Sequence, residues 1–179
     1  MRLPDQIQQA IEAHARWAYP HEACGLIAAD ADDQLRMAYC LTNIERNPSR
    51  FTVDPAEHFG AQSHAERHGW RIAGAFHSHP HSAAEPSAHD VAGALDPTWI
   101  YVIAGPVTPG GFESEADVAP TRASRQHTPD RAPTSKTQPG APAQILTADS
   151  IAGRDTSIPV RSYRIRSGAV TEIDTMVAR

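Results

Sequence analysis

The feature that most constrains this chain is Phe76-His77-Ser78-His79-Pro80, followed closely by Ser87-Ala88-His89-Asp90. The run that leads into it, Trp70-Arg71-Ile72-Ala73-Gly74-Ala75-Phe76, has the character of a central strand. Pro80 ends that strand, because proline has no N–H to give to a ladder. Side chains alternate faces along a strand, so His77 and His79 leave it on the same side. A fold for this sequence must therefore set a strand exit bearing two imidazoles beside a short helix that opens at Ser87 and carries Asp90 in its first turn.

The remaining chain reads as scaffold for that arrangement. Leu3, Ile7, Ala10, Ile11, His14, Ala15 and Ala18 recur at helical spacing, and the helix should stop before Tyr19-Pro20. Residues 24 to 29 form a nearly continuous apolar run, as in a strand covered on both faces, with Glu22 at its entrance. Asp30 to Gln34 is a polar turn, and Leu35 to Leu41 pairs back as a hairpin. Phe51-Thr52-Val53 reads as a short strand. Asp54 and Pro55 suit the cap and first turn of a helix that runs to His68 and ends at Gly69. The helix opened by Ser87 should reach Leu95, and residues 99–104 give the strongest β signal. Phe112 to Val118 is a further short strand by this reading.

From 119 to 158 the composition shifts to Pro, Thr, Ser, Ala and Gln without an aromatic residue. Such a segment buries too little apolar surface to offset its chain entropy, so it reads as a disordered insertion. Strand character returns at 159–165, and Ser167-Gly168 turns the chain into a last strand or tail at 169–177. The expectation is an α/β (α+β) domain, a mixed sheet flanked by helices. It is built from residues 1–118, interrupted by 119–158 and completed by 159–179.

Charge and cysteine usage narrow the function classes. The formal net charge is −5, and no Lys/Arg cluster offsets it, which argues against nucleic acid as a partner. Cys24 and Cys40 form no C-x-x-C and lie in apolar surroundings, so a reduced, buried pair is expected rather than a disulfide framework. There is no apolar run of about 18 residues, and Met1 to Gln6 lacks a signal-peptide pattern. A cytoplasmic protein without a membrane span is the expectation.

Taken alone, H-x-H is as well read as two satisfied polar residues at a strand end. With Asp90 added, two imidazoles and one carboxylate make a metal site with an open position, the arrangement of catalytic rather than structural zinc. Water there has its pKa drawn towards about 7 and needs a proton acceptor. Glu22 is the candidate base. Glu85 is a rival carboxylate in the intervening loop, and His81 and His89 flank the ligands. Ser87 has two readings: a helix cap in a capping box with Asp90, and a hydroxyl donor to a developing oxyanion. His64 and His68 form a second pair at i, i+4, read as a solvated helix face because no carboxylate completes them.

The full pattern resembles the JAMM motif of the MPN/Mov34 (JAB) metallopeptidase family: a glutamate, then H-x-H, seven residues, serine, two residues, aspartate. Here it reads Glu22, His77-Ser78-His79, residues 80–86, Ser87, Ala88-His89, Asp90, without a gap. Pro20-His21-Glu22-Ala23-Cys24-Gly25-Leu26 is similar to the family's strand entrance. The resemblance covers roughly 3–118 and 160–175. It implies an MPN/JAB1-type (cytidine-deaminase-like) fold and one zinc ion held by His77, His79 and Asp90. Glu22 would activate water, and Ser87 would steady the tetrahedral intermediate. It further implies cleavage after the C-terminal glycine of a ubiquitin-like protein. The short bacterial members that this chain resembles most include hydrolases releasing cysteine from a sulfur-carrier protein. Such domains also pair, so a homodimer belongs among the expectations. Two other functions stand beside this one: a non-catalytic MPN scaffold, and a small-peptide or cell-wall peptidase.

Overall fold

The structure, a computed structural model, describes residues 3–94, 96–107 and 157–173. The first helix, α1 (Asp5–Ala18), buries Ile7, Ile11 and Ala15 along one stripe and stops at Tyr19. Strands β1 (Cys24–Ala29) and β2 (Leu35–Leu41) form the expected hairpin. Helix α2 (Pro55–Arg67) starts on Asp54, whose side chain accepts from the N–H groups of Ala56 and Glu57. It ends at His68 with Gly69 at φ +70, the left-handed conformation that glycine adopts without a Cβ penalty. Strand β3 (Arg71–Ser78), helix α3 (Ala88–Gly93) and strand β4 (Ile100–Ala104) follow. Strands β5 (Val160–Arg166) and β6 (Ala169–Ile173) close the sheet.

The sheet has the order β2-β1-β3-β4-β5-β6. β3 and β4 pair in parallel, and the other neighbours run antiparallel. All six residues of β1 are buried, and the two faces explain why. Ile27 and Ala29 join α1 in the main core with Phe76, Ile100 and Val102. Leu26 joins Leu41 and Ala61 of α2 on the opposite face. Burial on both faces removes the polar alternation that a one-sided strand would show. The β1–β3 ladder is regular from Cys24–His77 to Ile27–Gly74 and shifts register between Ile27 and Ala28.

Several expectations need correction. Phe51-Thr52-Val53 is not a strand: Val53 makes one isolated bridge, to Asn43. The Asn43 side chain captures this loop instead, donating to the carbonyls of Glu22 and Arg50 and accepting from the N–H of Thr52. α3 ends at Gly93 rather than Leu95. The cysteines are not a buried pair, since Cys24 is buried and Cys40 exposed, both as free thiols. Cys24 pairs with Leu41 and Cys40 with Gly25. Those are adjacent ladder positions, whose side chains point to opposite faces. The strand expected at 112–118, the insertion at 119–158 and the tail beyond 173 lie outside the described residues. No helix among the described residues is long and apolar enough to cross a membrane.

Gly25 has no room for a side chain. A Cβ there would stand 2.0 Å from the Tyr39 carbonyl oxygen and 2.3 Å from the Phe76 ring. The carbonyl belongs to the neighbouring strand and cannot move alone. Gly25→Ala is therefore expected to destabilise the protein by about 3 kcal/mol, at the upper end of overpacking costs. Urea unfolding checks this, and an unchanged midpoint would contradict it.

Candidate active site

The β1–β3 ladder assembles the site. Cys24 pairs with His77. One step further, the Ser78 N–H donates to the Ala23 carbonyl at 2.9 Å, and the Ala23 N–H donates to the Ser78 hydroxyl at 2.8 Å. Continued one step past the strand ends, the same antiparallel register would set Glu22 opposite His79, and the two side chains are close enough for each to shift the other's pKa. Directly opposed residues share a face, and so do i and i+2. Glu22, His77 and His79 therefore project on one side of the sheet, although 55 residues separate Ala23 from its partner Ser78.

Asp90 reaches the imidazoles from α3. His77 Nε2 lies 3.1 Å from His79 Nε2, 3.3 Å from Asp90 Oδ1, and His79 Nε2 lies 3.4 Å from Asp90 Oδ2. Ligand atoms held tetrahedrally at 2.0–2.1 Å from one zinc ion stand about 3.3 Å apart, so this triangle already fits such an ion. His79 Nδ1 is 2.9 Å from the Ala83 carbonyl. A carbonyl only accepts, so Nδ1 carries the hydrogen and Nε2 offers its lone pair to the centre of the triangle. These three residues form the one group of three metal-capable side chains among the described residues.

Burial shapes the protonation states. It pushes the pKa of His77 below the ordinary histidine value, against the pull of Asp90. For His79 burial acts in the same direction, but hydrogen bonds to Asp90 and to the Ala83 carbonyl outweigh it and the pKa rises. Burial works against the Asp90 carboxylate as well. The two imidazoles overcome it and hold this carboxyl well below the usual range. The Asp90 charge thus suits a cation, and the neutral form of His79 offers its Nε2 to the same point. Glu22 differs: it is 4% exposed, and no described residue hydrogen-bonds its carboxylate. Burial raises its pKa from 4.5 to about 7, with Asp90 and Glu45 adding to the rise and His79 opposing it. A carboxyl poised near neutrality beside a cation site can take a proton and return it.

The capping box at α3 is present. Ser87 accepts from the Asp90 N–H at 3.2 Å, and the Ser87 N–H donates to Asp90 Oδ2 at 2.7 Å. The hydroxyl proton of Ser87 has no acceptor among the described residues, so it is free to be donated. Glu85 is exposed and pairs with Arg161 at 2.8 Å, and it is not part of the group formed by His77, His79 and Asp90. His81 packs edge-on against Tyr19, and His89 is exposed. His64 and His68 stack on each other, His68 on Trp70, and Tyr39 bonds His64 at 2.9 Å. His68 is exposed and His64 only half-buried, so the pair lies on a solvated helix face as expected, with Trp70 and Tyr39 packed beside it. Phe51 was not foreseen. Its ring stacks on His77 with centroids 4.9 Å apart, walling one side of that imidazole. The irregular loop delivers it there, and nothing in its local sequence signals the contact.

Similarity to known proteins extends over the same stretch of chain. The model for prokaryotic homologs of the JAB domain matches residues 4–122, the stretch holding Glu22, His77, His79, Ser87 and Asp90. A desampylase of Haloferax volcanii is 31% identical over 112 residues, 59% of this chain and 81% of that protein. A CysO-cysteine peptidase of Mycobacterium tuberculosis is 34% identical over 95 residues, 52% of this chain and 65% of its own length. A Desulfitobacterium hafniense protein solved in solution superposes with a TM-score of 0.63 at 27% identity, covering 99% of this chain and 92% of that one.

Proposed function

Because this chain belongs to the prokaryotic homologs of the JAB domain, we propose that it is a zinc-dependent hydrolase of a peptide or isopeptide-like bond. The bond follows the C-terminal glycine of a ubiquitin-like or sulfur-carrier protein ending in Gly-Gly, and the released amine is cysteine. The enzyme works in the cytoplasm, and its catalytic domain comprises residues 1–118 and 159–179. The observation that carries the chemistry is the triangle of His77 Nε2, His79 Nε2 and Asp90 with Glu22 set across the ladder. The names of the two curated relatives support the substrate class, and that of the peptidase supports cysteine release.

His77, His79 and Asp90 would hold the zinc. When bound, the metal supplies Lewis acidity and acidifies water at its open position. Glu22 takes the proton from the attacking water and later gives it to the departing amine, for which a pKa of about 7 is well placed. Ser87 donates its hydroxyl to the oxygen that gains charge as the carbonyl carbon becomes tetrahedral. Phe51 keeps water from one face of His77.

Ser87→Ala is expected to lower kcat by about 10²–10³-fold with little change in KM, the usual effect of losing one oxyanion donor. Loss of the cap costs about 1 kcal/mol of stability besides. Steady-state kinetics with zinc content measured alongside separate the two effects. A variant with wild-type kcat would leave Ser87 as a cap alone. The substrate assignment is tested by offering the purified protein a set of Gly-Gly-ended carrier conjugates, including a carrier–cysteine adduct, and identifying the products. Release of free cysteine from the adduct is the expected result. Cleavage of other conjugates but not of this one would overturn the cysteine assignment.

A further inference from the structure

The stretch between His79 and Ser87 has no regular secondary structure, yet its path decides where Asp90 stands. Consecutive residues in it are held by side chains from elsewhere. His79 Nδ1 bonds the Ala83 carbonyl at 2.9 Å. The Tyr163 hydroxyl donates to the Ala84 carbonyl at 2.5 Å. Arg161 donates to Glu85 at 2.8 Å, while its Nε and Nη2 grip Glu172 of β6 at 2.8 and 2.6 Å. Arg161 and Tyr163 are two apart on β5, so both face this loop. Ala84 and Tyr163 are buried together against Ile103.

The two anchors on β5, Arg161 and Tyr163, lie outside residues 4–122, the stretch matched by the family, whereas every candidate site residue lies inside it. They are also unequal. Arg161 and Glu85 meet at the surface, where an ion pair contributes little. Tyr163 is 3% exposed, and without its hydroxyl the Ala84 carbonyl loses a partner in a buried setting, which is the costly case.

We propose that Tyr163 is a positioning residue for the metal site, fixing the turn that ties His79 to Asp90. The proposal rests on the reading of His77, His79 and Asp90 as metal-holding. Groups behind metal ligands typically change affinity by 10–100-fold, and Tyr163 acts through the loop backbone, so the lower figure applies.

The test uses the full chain and measures its zinc dissociation constant by competition with a chromogenic chelator, well below the unfolding temperature. Tyr163→Phe keeps the ring, so the contacts with Ala84 and Ile103 stay filled. It is expected to weaken zinc binding about tenfold. Arg161→Gln should weaken it less than about threefold. In an Asp90→Asn background the Tyr163 effect should shrink below about twofold, because the ligand being positioned is gone. Equal zinc affinity in wild type and Tyr163→Phe overturns the proposal even if stability falls. A tenfold loss that persists in the Asp90→Asn background overturns it too. A wild-type protein with no zinc affinity overturns the metal reading itself, and this role with it.

Discussion

Glu22→Gln is expected to remove at least about 10³-fold of the hydrolytic rate while making the metal-free protein more stable. The rate follows from the loss of the proton acceptor, since a positioned general base is worth about 10²–10⁴-fold. Zinc binding should persist, because Glu22 is not one of the three residues of the triangle. The gain in stability follows from the raised pKa. Folding lifts the Glu22 carboxyl from 4.5 to about 7, so between those values the folded chain holds a proton that the unfolded chain has released. Stability therefore falls as pH rises through that window, and above it the folded state carries the whole penalty of a buried charge. One pKa unit corresponds to about 1.4 kcal/mol, which puts the ceiling near 3 kcal/mol. Residual contact of the carboxylate with solvent brings the expected gain to about 1–2 kcal/mol, or a few degrees in unfolding temperature for a chain of this size. Thermal unfolding with chelator at pH 8 should show the gain, and at pH 5 it should shrink because the wild-type carboxyl is then protonated. Full activity in the variant would remove Glu22 from the mechanism. No gain at pH 8 would contradict its burial without a hydrogen-bond partner. Opposite effects on rate and stability at one residue are characteristic of a site under functional selection.

Asp90→Asn is expected to abolish turnover and weaken zinc binding by more than about 100-fold, exceeding the effect of groups that stand behind ligands. Asp90 serves two purposes here. It faces both imidazoles at 3.3 and 3.4 Å, and it accepts from the Ser87 N–H at the start of α3. Asparagine can keep the second role through its carbonyl oxygen but not the negative charge that the first requires. The variant should therefore stay folded, as neither Asp90 nor α3 belongs to the buried core. Metal analysis by mass spectrometry, circular dichroism and turnover form the measurement. A chelator should silence the wild type, and added zinc should restore the wild type but not the variant. Turnover that survives both the chelator and the substitution would rule out a metal mechanism.

Much of the site was legible because its parts are local in sequence. The alternation of a strand places His77 and His79 on one side, and a capping pattern places Asp90 one turn into a helix. Glu22 was legible through its position at the mouth of an apolar run and through the resemblance of that stretch to the family's strand entrance. What set it opposite His79 is a ladder register, which no single segment encodes. Phe51 was misread as part of a strand because its neighbours have β character. The Asn43 side chain competes for that backbone and wins. The apolar neighbours of Cys40 suggest burial, but it lies on the edge strand β2 and is exposed, its thiol reaching the Ala10 carbonyl of α1. Tyr163 stands 79 positions from Ala84, so nothing in its own segment points to the loop it holds.

The register shift between Ile27 and Ala28 separates two parts of one ladder. On its active side the pairs run unbroken from Gly74 to His77, and a slip of one residue there would turn Glu22 or the histidines to the wrong face. On its far side lies the Asp30–Gln34 turn. An irregularity of this kind absorbs an odd residue locally. Insertions and deletions in that turn can therefore accumulate between descendants of this sequence without moving Glu22 relative to His77 and His79, whereas the segment from Glu22 to Ile27 must keep its length.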